Sequence, residues 1–379
     1  MASDRVRDRW EGLITGQATG PAAVLERIGL AALSGLYRAG LQANHAIYDH
    51  GLKARTIPAL PVISVGNLSL GGTGKTTATA YIASLLRDRC MPGIVLRGYR
   101  RRSEQGPVLV SDGDRVLAPL AEAGDEALML AHSLPGCAVA VGKRREVTIE
   151  LLRNSTQARI VILDDGFQYF RMSRRLDIVL IDALAGPSAT RLFPAGRLRE
   201  PWRNLARAQQ VWITHADLAP VEAVERLVQL ASRHCPGGLV CVTRHQTGAL
   251  RLLVSGKSVP AGLNGLHVLA LSGIGNPESF ERSLEELGAR VTPLRFADHH
   301  AYSESDWYDI RRAWEAASAD LIVTTEKDAV KLPEPPGDCP PVAVQGCELA
   351  FIQGEDAARQ QISDVCEELD GGESRRDPH

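Results

Sequence analysis

Residues 66–77, Gly66-Asn67-Leu68-Ser69-Leu70-Gly71-Gly72-Thr73-Gly74-Lys75-Thr76-Thr77, stand between the apolar run 60–65 and a helical stretch that reaches Asp88. A glycine-rich turn joining a buried strand to a helix is the setting of a phosphate-binding P-loop, and it commits this part of the chain to an α/β layer. Successive backbone N–H groups point inward at a polyphosphate, and the helix adds its positive N-terminal end. Lys75 supplies a charge and Thr76 a metal-ligating hydroxyl, so residues Ser69, Leu70, Gly71, Gly72, Thr73, Gly74, Lys75 and Thr76 form the expected nucleotide cradle. One position departs from the usual G-x-x-x-x-G-K-[ST] pattern: Ser69 stands where the first glycine is expected, with Gly71 and Gly72 providing the flexibility instead.

Short apolar strands alternate with helical segments through the first half, at 61–65, 93–96, 138–141, 160–163 and 178–181. Continuous hydrophobicity in such runs suits strands covered on both faces by helices, so the expected fold is α/β, a P-loop NTPase-like parallel sheet with helices on both faces. A second series at 210–214, 239–243, 268–272 and 321–325, with helical stretches at 277–287 and 304–317, predicts a second, smaller α/β domain. The Pro-, Gly- and Arg-rich stretch 186–203 reads as the junction, 333–341 as a rigid connector, 356–369 as a final helix and 371–379 as a disordered tail. The expected divisions are 1–55, 56–200, 201–350 and 351–379.

The 379 residues carry a formal net charge of −2, which argues against bulk nucleic-acid binding. Seven cysteines without a C-x-x-C pair predict reduced, mostly buried thiols rather than a disulfide frame or a zinc site. The charged N-terminus lacks the apolar core of a signal peptide. Leu25, Ile28, Gly29, Ala32, Leu33, Leu36 and Tyr37 recur at helical spacing, which predicts an amphipathic helix. Its apolar side either packs on the protein's own core or lies in a membrane interface.

The run 159–163 ends in Asp164-Asp165-Gly166-Phe167-Gln168, two carboxylates at the tip of a buried strand. With a P-loop present these are the expected Mg²⁺ partners, acting alongside Thr76; otherwise they are turn residues. Asp125 opens a predicted helix, and Asp298-His299-His300 lies in a polar loop. Transfer to an alcohol needs a group that takes the hydroxyl proton, and an Asp paired with a His would serve; either segment would also serve as an ordinary helix start. A metallophosphoesterase reading of Asp298-His299-His300 needs further ligands and leaves the P-loop unexplained. Three basic clusters fall in connecting loops: Arg97, Arg100, Arg101 and Arg102; Lys143, Arg144 and Arg145; and Arg191, Arg197, Arg199 and Arg203. They suggest a substrate with negative charge of its own.

Taken with Leu96-Arg97-Gly98-Tyr99, Gly124-Asp125-Glu126, the motif 194–201, Ser272-Gly273-Ile274-Gly275-Asn276-Pro277, Asp298-His299 and Thr325-Glu326-Lys327-Asp328, these motifs match a known family in order and spacing over roughly residues 20–332. The chain resembles the tetraacyldisaccharide 4′-kinases, the lipid A kinases of Gram-negative bacteria, a family that tolerates a serine at the position of Ser69. The resemblance implies transfer of the γ-phosphate of ATP, with Mg²⁺, to the 4′-hydroxyl of a tetraacylated glucosamine disaccharide 1-phosphate. It implies two α/β domains that close over ATP and a peripheral enzyme on the cytoplasmic face of the inner membrane, with the helix around residues 25–37 in the docking surface and no obligate protein partner. By motif position, Asp125 would be the base, paired with His299; His300 is the open alternative, and His299 is preferred because it directly follows the aspartate. Lys75 would stabilise the γ-phosphate, Thr76 with Asp165 would hold the metal beside Asp164, and Arg197 would stabilise charge during transfer. The loops around Asn276 and Glu326 are candidates for the adenine pocket. The rival classes are a P-loop NTPase switch and a soluble small-molecule kinase.

Overall fold

Apolar runs long enough to bury a strand on both faces become strands here, and the polar segments between them become helices and turns. The computed structural model describes residues 2–98, 101, 106–259, 262–298 and 300–373. The first half of the chain forms α1 (Ala2–Thr15), α2 (Pro21–Asp49), β1 (Val62–Asn67), α3 (Lys75–Cys90), β2 (Pro92–Leu96), β3 (Val108–Ser111), α4 (Leu120–Ala123), α5 (Asp125–Ser133), β4 (Ala138–Val141), α6 (Arg145–Ser155), β5 (Ile160–Asp164) and β6 (Leu176–Asp182). The second half forms β7 (Gln210–Thr214), α7 (Val221–His234), β8 (Leu239–Leu252), β9 (His267–Ser272), α8 (Pro277–Glu286), β10 (Arg290–Arg295), α9 (Asp306–Ala317), β11 (Leu321–Thr325), α10 (Glu326–Ala329), β12 (Val342–Gln353) and α11 (Glu355–Glu373). The predicted disordered tail is helical as far as Glu373, and its last six residues lie outside the described residues.

Two compact units emerge. One comprises Met1–Arg97, Arg144–Arg244 and Ala350–His379; the other comprises Gly98–Lys143 and His245–Leu349. In the first unit a parallel sheet runs β2-β5-β1-β6-β7 and on to the start of β8. Every residue of β1 and β5 is buried, as continuous apolar runs require when helices cover both faces. The α3 helix packs across β1, β2 and β5, so the P-loop that precedes it sits at the carboxyl end of the central strand. That is the edge at which ligands bind in open parallel sheets.

The second unit has its own parallel set, β10-β9-β11-β12, and an antiparallel pair, β3 with β4. Its core is formed by residues such as Leu269, Leu271, Ile310 and Ile322 on one side and Val268, Ala270, Leu284 and Val323 on the other. The units are discontinuous, whereas the divisions drawn on the sequence are contiguous. Strands 210–214 and 239–243, expected in the second domain, pair with β6 and with each other in the P-loop unit. Which strands pair is decided by long-range register, and apolar runs carry no label for it.

The cysteine expectation also needs correction. Cys90 at the end of α3 and Cys366 on α11 are paired, with Cα atoms 6.2 Å apart and 276 residues between them in sequence. A separation of that size leaves no spacing pattern to read. Cys235 and Cys241 fit the buried-thiol expectation: they donate to the carbonyls of Ala208 and Gly354, and burial pushes the Cys241 thiol up to about 12.

Candidate functional site

The P-loop is built by close approach and then braced by its neighbours. At Gly66 a Cβ would lie 2.4 Å from that of Phe167, so only glycine lets the end of β1 meet the turn after β5. Gly74 has φ 78° as the residue that caps α3, a left-handed backbone that glycine adopts without strain. The serine at position 69 has a local explanation. Its backbone forms a β-bridge to Leu198, an extended arrangement that makes no demand for glycine. The flanking residues are laced to the same strip of chain: Leu70 N–H donates to the Arg197 carbonyl at 2.7 Å, and Arg199 N–H donates to the Leu68 carbonyl at 2.6 Å. Inside the loop, Asn67 donates to the Thr73 hydroxyl at 2.9 Å, and Thr214 donates to the Thr73 carbonyl at 3.1 Å. Gln168 donates to the carbonyl of Asn67 at 2.9 Å, tying the acidic turn to the loop.

Charge gathers at the mouth of this cradle. Lys75 Nζ lies 3.7 Å from Asp165 Oδ1, and Arg199 Nη1 donates to both oxygens of Asp165 at 2.9 and 3.1 Å. Burial pushes the Asp165 carboxyl up, but the fields of Lys75 and Arg199 outweigh it and hold the group below its ordinary value. The residue itself adopts φ 55°, a left-handed backbone that Asp tolerates. Asp164 is buried behind it at the tip of β5. Burial pulls the guanidinium of Arg145 down, partly offset by Tyr169 and Asp165.

The strip 194–201 is aimed from below. Glu200 is fully buried, accepting from Asn204 at 2.6 Å and from Arg207 at 2.8 Å, with His45 at 3.5 Å. Burial raises that carboxyl, while His45, Arg207 and Asn204 more than reverse the effect. The Arg207 guanidinium in turn stacks 4.1 Å over Phe167 and 4.4 Å over Phe170. With Glu200 anchored, Arg197 and Arg199 project toward the P-loop; a Cβ at Gly71 would lie 3.9 Å from Arg197 Nη1. Arg203, of the same cluster, instead lines a cavity of about 300 Å³ beside α2, together with Arg38, His45 and Asp49.

The donor set suits Mg²⁺. This ion takes one or two carboxylates with substrate phosphates rather than a cage of protein ligands. Among the described residues no group of three or more His, Cys, Asp or Glu side chains is placed to hold a metal, whereas an ionised Asp165 stands beside the hydroxyl-bearing first turn of α3. The structure therefore brings together Lys75, Asp165 and Arg197 on the P-loop. It adds Arg199, which the sequence shows only as one of four basic residues. An Arg two residues after Arg197 in an extended strip is the signal that marks it.

The second unit holds the other predicted residues. Asp125 opens α5, where its carboxylate accepts from Glu126 N–H at 3.0 Å and suits the positive end of the helix. His300 is engaged with Asp306, 3.3 Å away, and packs on Phe296 and Tyr302. Asp298 lies 3.8 Å from Lys327. His299, Tyr99, Arg100 and Arg102 lie outside the described residues. Glu326 accepts from Ser133 at 3.0 Å, joining α10 to α5.

The α2 helix turns its apolar residues outward. Leu25 is 72% exposed, Ile28 62% and Leu36 72%, while Ser34 and Tyr37 face inward and donate to the carbonyls of Leu192 and Arg199. Apart from Tyr37, which packs on Phe193, the apolar stripe is therefore an uncovered surface rather than a core contact. No described helix is long and apolar enough to cross a membrane.

Residues 26–367 match the model of a family described as tetraacyldisaccharide-1-P 4′-kinase, LpxK. A protein named tetraacyldisaccharide 4′-kinase from Anaeromyxobacter sp. (strain Fw109-5) is 39% identical over 91% of this chain and 92% of its own length. One of the same name from Halothermothrix orenii is 35% identical over 83% and 85%. Among solved structures, LpxK from Aquifex aeolicus in complex with ATP is similar, with a TM-score of 0.74 and 29% identity, covering 89% of this chain and 99% of that one.

Proposed function

The chain belongs to the tetraacyldisaccharide-1-P 4′-kinase family, and from that premise we infer that it transfers the γ-phosphate of ATP to the 4′-hydroxyl of a tetraacylated disaccharide 1-phosphate in lipid A biosynthesis. The observation that carries the reading is the convergence of Lys75, Arg199 and Asp165 at the mouth of a braced P-loop. Two fixed cations and an ionised carboxylate are what a triphosphate with its divalent ion requires.

The chain's own residues then divide the work. Backbone N–H groups of the loop 69–76 hold the β- and γ-phosphates, apart from that of Leu70, which is given to the Arg197 carbonyl, and Lys75 offsets charge on the γ-phosphoryl group as it moves. Thr76 and Asp165 would hold Mg²⁺, with Asp164 behind them; when bound, the ion neutralises phosphate charge and orients the γ-phosphoryl group for in-line attack. Asp125 accepts the proton of the 4′-hydroxyl, whose oxygen bonds to the γ-phosphorus while the bond to the β-phosphate oxygen breaks and ADP leaves. His299 is the partner that orients Asp125, a reading supported by the engagement of His300 with Asp306. Arg197 faces the charge that builds on the equatorial oxygens.

The outward apolar face of α2 supports peripheral docking on the inner membrane, at its cytoplasmic face where ATP is available. With ATP and Mg²⁺ the purified chain should phosphorylate the acylated disaccharide far faster than it hydrolyses ATP in water. Equal ATP turnover with and without the lipid would instead support an NTPase switch. Asp125→Ala should keep nucleotide binding and lose about 10²- to 10⁴-fold in turnover; near-normal turnover would reject Asp125 as the base.

A further inference from the structure

The α1 helix precedes the matched stretch 26–367, and phosphoryl transfer as derived above makes no use of it. Yet it is firmly seated on the strip that aims the arginines. Trp10 Nε1 donates to the Pro194 carbonyl at 2.7 Å, and the Trp10 ring lies 6.0 Å from that of Phe193. Arg9 donates twice to Glu26 at 3.0 Å, and Arg27 on α2 donates to the carbonyls of Leu13 and Ala18. These contacts fix the helix without any help from Glu11, the next residue after Trp10.

Glu11 points at Arg197. Its Oε1 lies 3.6 Å from Arg197 Nη2, while Nη1 of the same guanidinium lies toward the P-loop at Gly71. Arg197 Nε is buried, and no described residue accepts from it. One guanidinium is thus held between a carboxylate on one side and the phosphate cradle on the other.

We propose that Glu11 is a positioning residue that parks Arg197 beside the P-loop while the nucleotide site is empty and yields it to the phosphate when ATP binds. The proposal rests on the reading of Arg197 as a phosphate-facing residue. Its energetics favour exchange. The pair makes one contact, with side chains 28% and 41% exposed, and exposed pairs of this kind are weak and screened by salt. A phosphate carries more charge and accepts both arms of the fork. Glu11 therefore competes with ATP for Arg197, and ATP wins at a cost in affinity.

The test is Glu11→Gln, which keeps side-chain length and leaves the Trp10 anchor intact. Its affinity for ATP with Mg²⁺, measured by calorimetry, should tighten by up to roughly fivefold, about 1 kcal/mol. The change should fall in KM for ATP rather than in kcat, and should shrink as NaCl is raised. In an Arg197→Gln background the same substitution should have no effect. Equal or weaker ATP binding by Glu11→Gln, or a gain that is insensitive to salt, would overturn the competition while leaving Arg197 in place. If Arg197→Gln alone has wild-type affinity and turnover, the reading of Arg197 itself fails.

Discussion

A carboxylate that is to hold a divalent cation beside a triphosphate must stay ionised although it is withdrawn from water, and Asp165 is arranged for that. Burial opposes the charged form; Lys75 and Arg199 reverse the balance and keep the group below its ordinary value of 3.8. A depressed folded-state value means the stabilisation is present above the unfolded value and is lost only as the pH falls through the folded one. Asp165 is therefore a fixed anion throughout the neutral range. Asn tolerates the same left-handed backbone, so Asp165→Asn should fold while leaving Lys75, Arg199 and Arg145 without their counter-charge. Expected is a rise of roughly 10- to 100-fold in the Mg²⁺ concentration for half-maximal turnover, with ATP binding in the absence of Mg²⁺ retained. A Mg²⁺ titration of turnover checks it, and an unchanged midpoint would remove Asp165 from the metal site. The pair Asp164-Asp165 is legible in the sequence as acidic residues at a strand tip. That Arg199 grips Asp165 is not, because a basic cluster names no partner.

At the scale of elements, α2 was legible as a helix from its apolar spacing, while the direction of its apolar face was not. Periodicity reports that residues share a face; what covers that face depends on the rest of the fold. Ser34 and Tyr37 settle the orientation here by bonding to the carbonyls of Leu192 and Arg199, and that rotation leaves Leu25, Ile28 and Leu36 in solvent. Placed in a bilayer interface, their exposed portions would contribute about 1 kcal/mol each, so replacing all three by Glu should lower partition onto anionic phospholipid vesicles by roughly 100-fold. Because the side chains are already exposed, circular dichroism of the triple variant should match the parent. Sedimentation with vesicles measures the effect, and unchanged partition would rule out this face as the docking surface. The α1 helix escaped sequence reading for a related reason. It carries six charged residues in fourteen, and its hold on the fold comes from contacts distant in sequence, the Trp10 bond to Pro194, 184 residues away, and the bonds that link it to Glu26 and Arg27.

Across the whole molecule, local patterns gave the strands nearly to the residue at β7 and β11, and missed β3, β10 and β12. Arg290–Arg295 is half-exposed and carries Arg at both ends, so its strand character comes from pairing with β9 and not from hydrophobicity. The assignment of β7 and β8 to the P-loop unit is likewise a matter of register. Each unit should then answer to its own buried charges, and Glu326 provides a probe of the second. Burial pushes its carboxyl above the ordinary value of 4.5, against the opposing effect of the Ser133 hydrogen bond. A raised folded-state value means the stabilisation is complete below the unfolded value and is lost as the pH rises through the folded one. Glu326→Gln keeps an oxygen for Ser133 and removes the titration. Relative to the parent, its thermal midpoint should therefore climb as pH increases from about 4 to about 8, the difference opening above the ordinary glutamate value. Calorimetric scans of both proteins over that range measure the trend. A constant offset between them would mean that Glu326 titrates as an ordinary carboxylate and that its burial imposes no charge penalty on the unit.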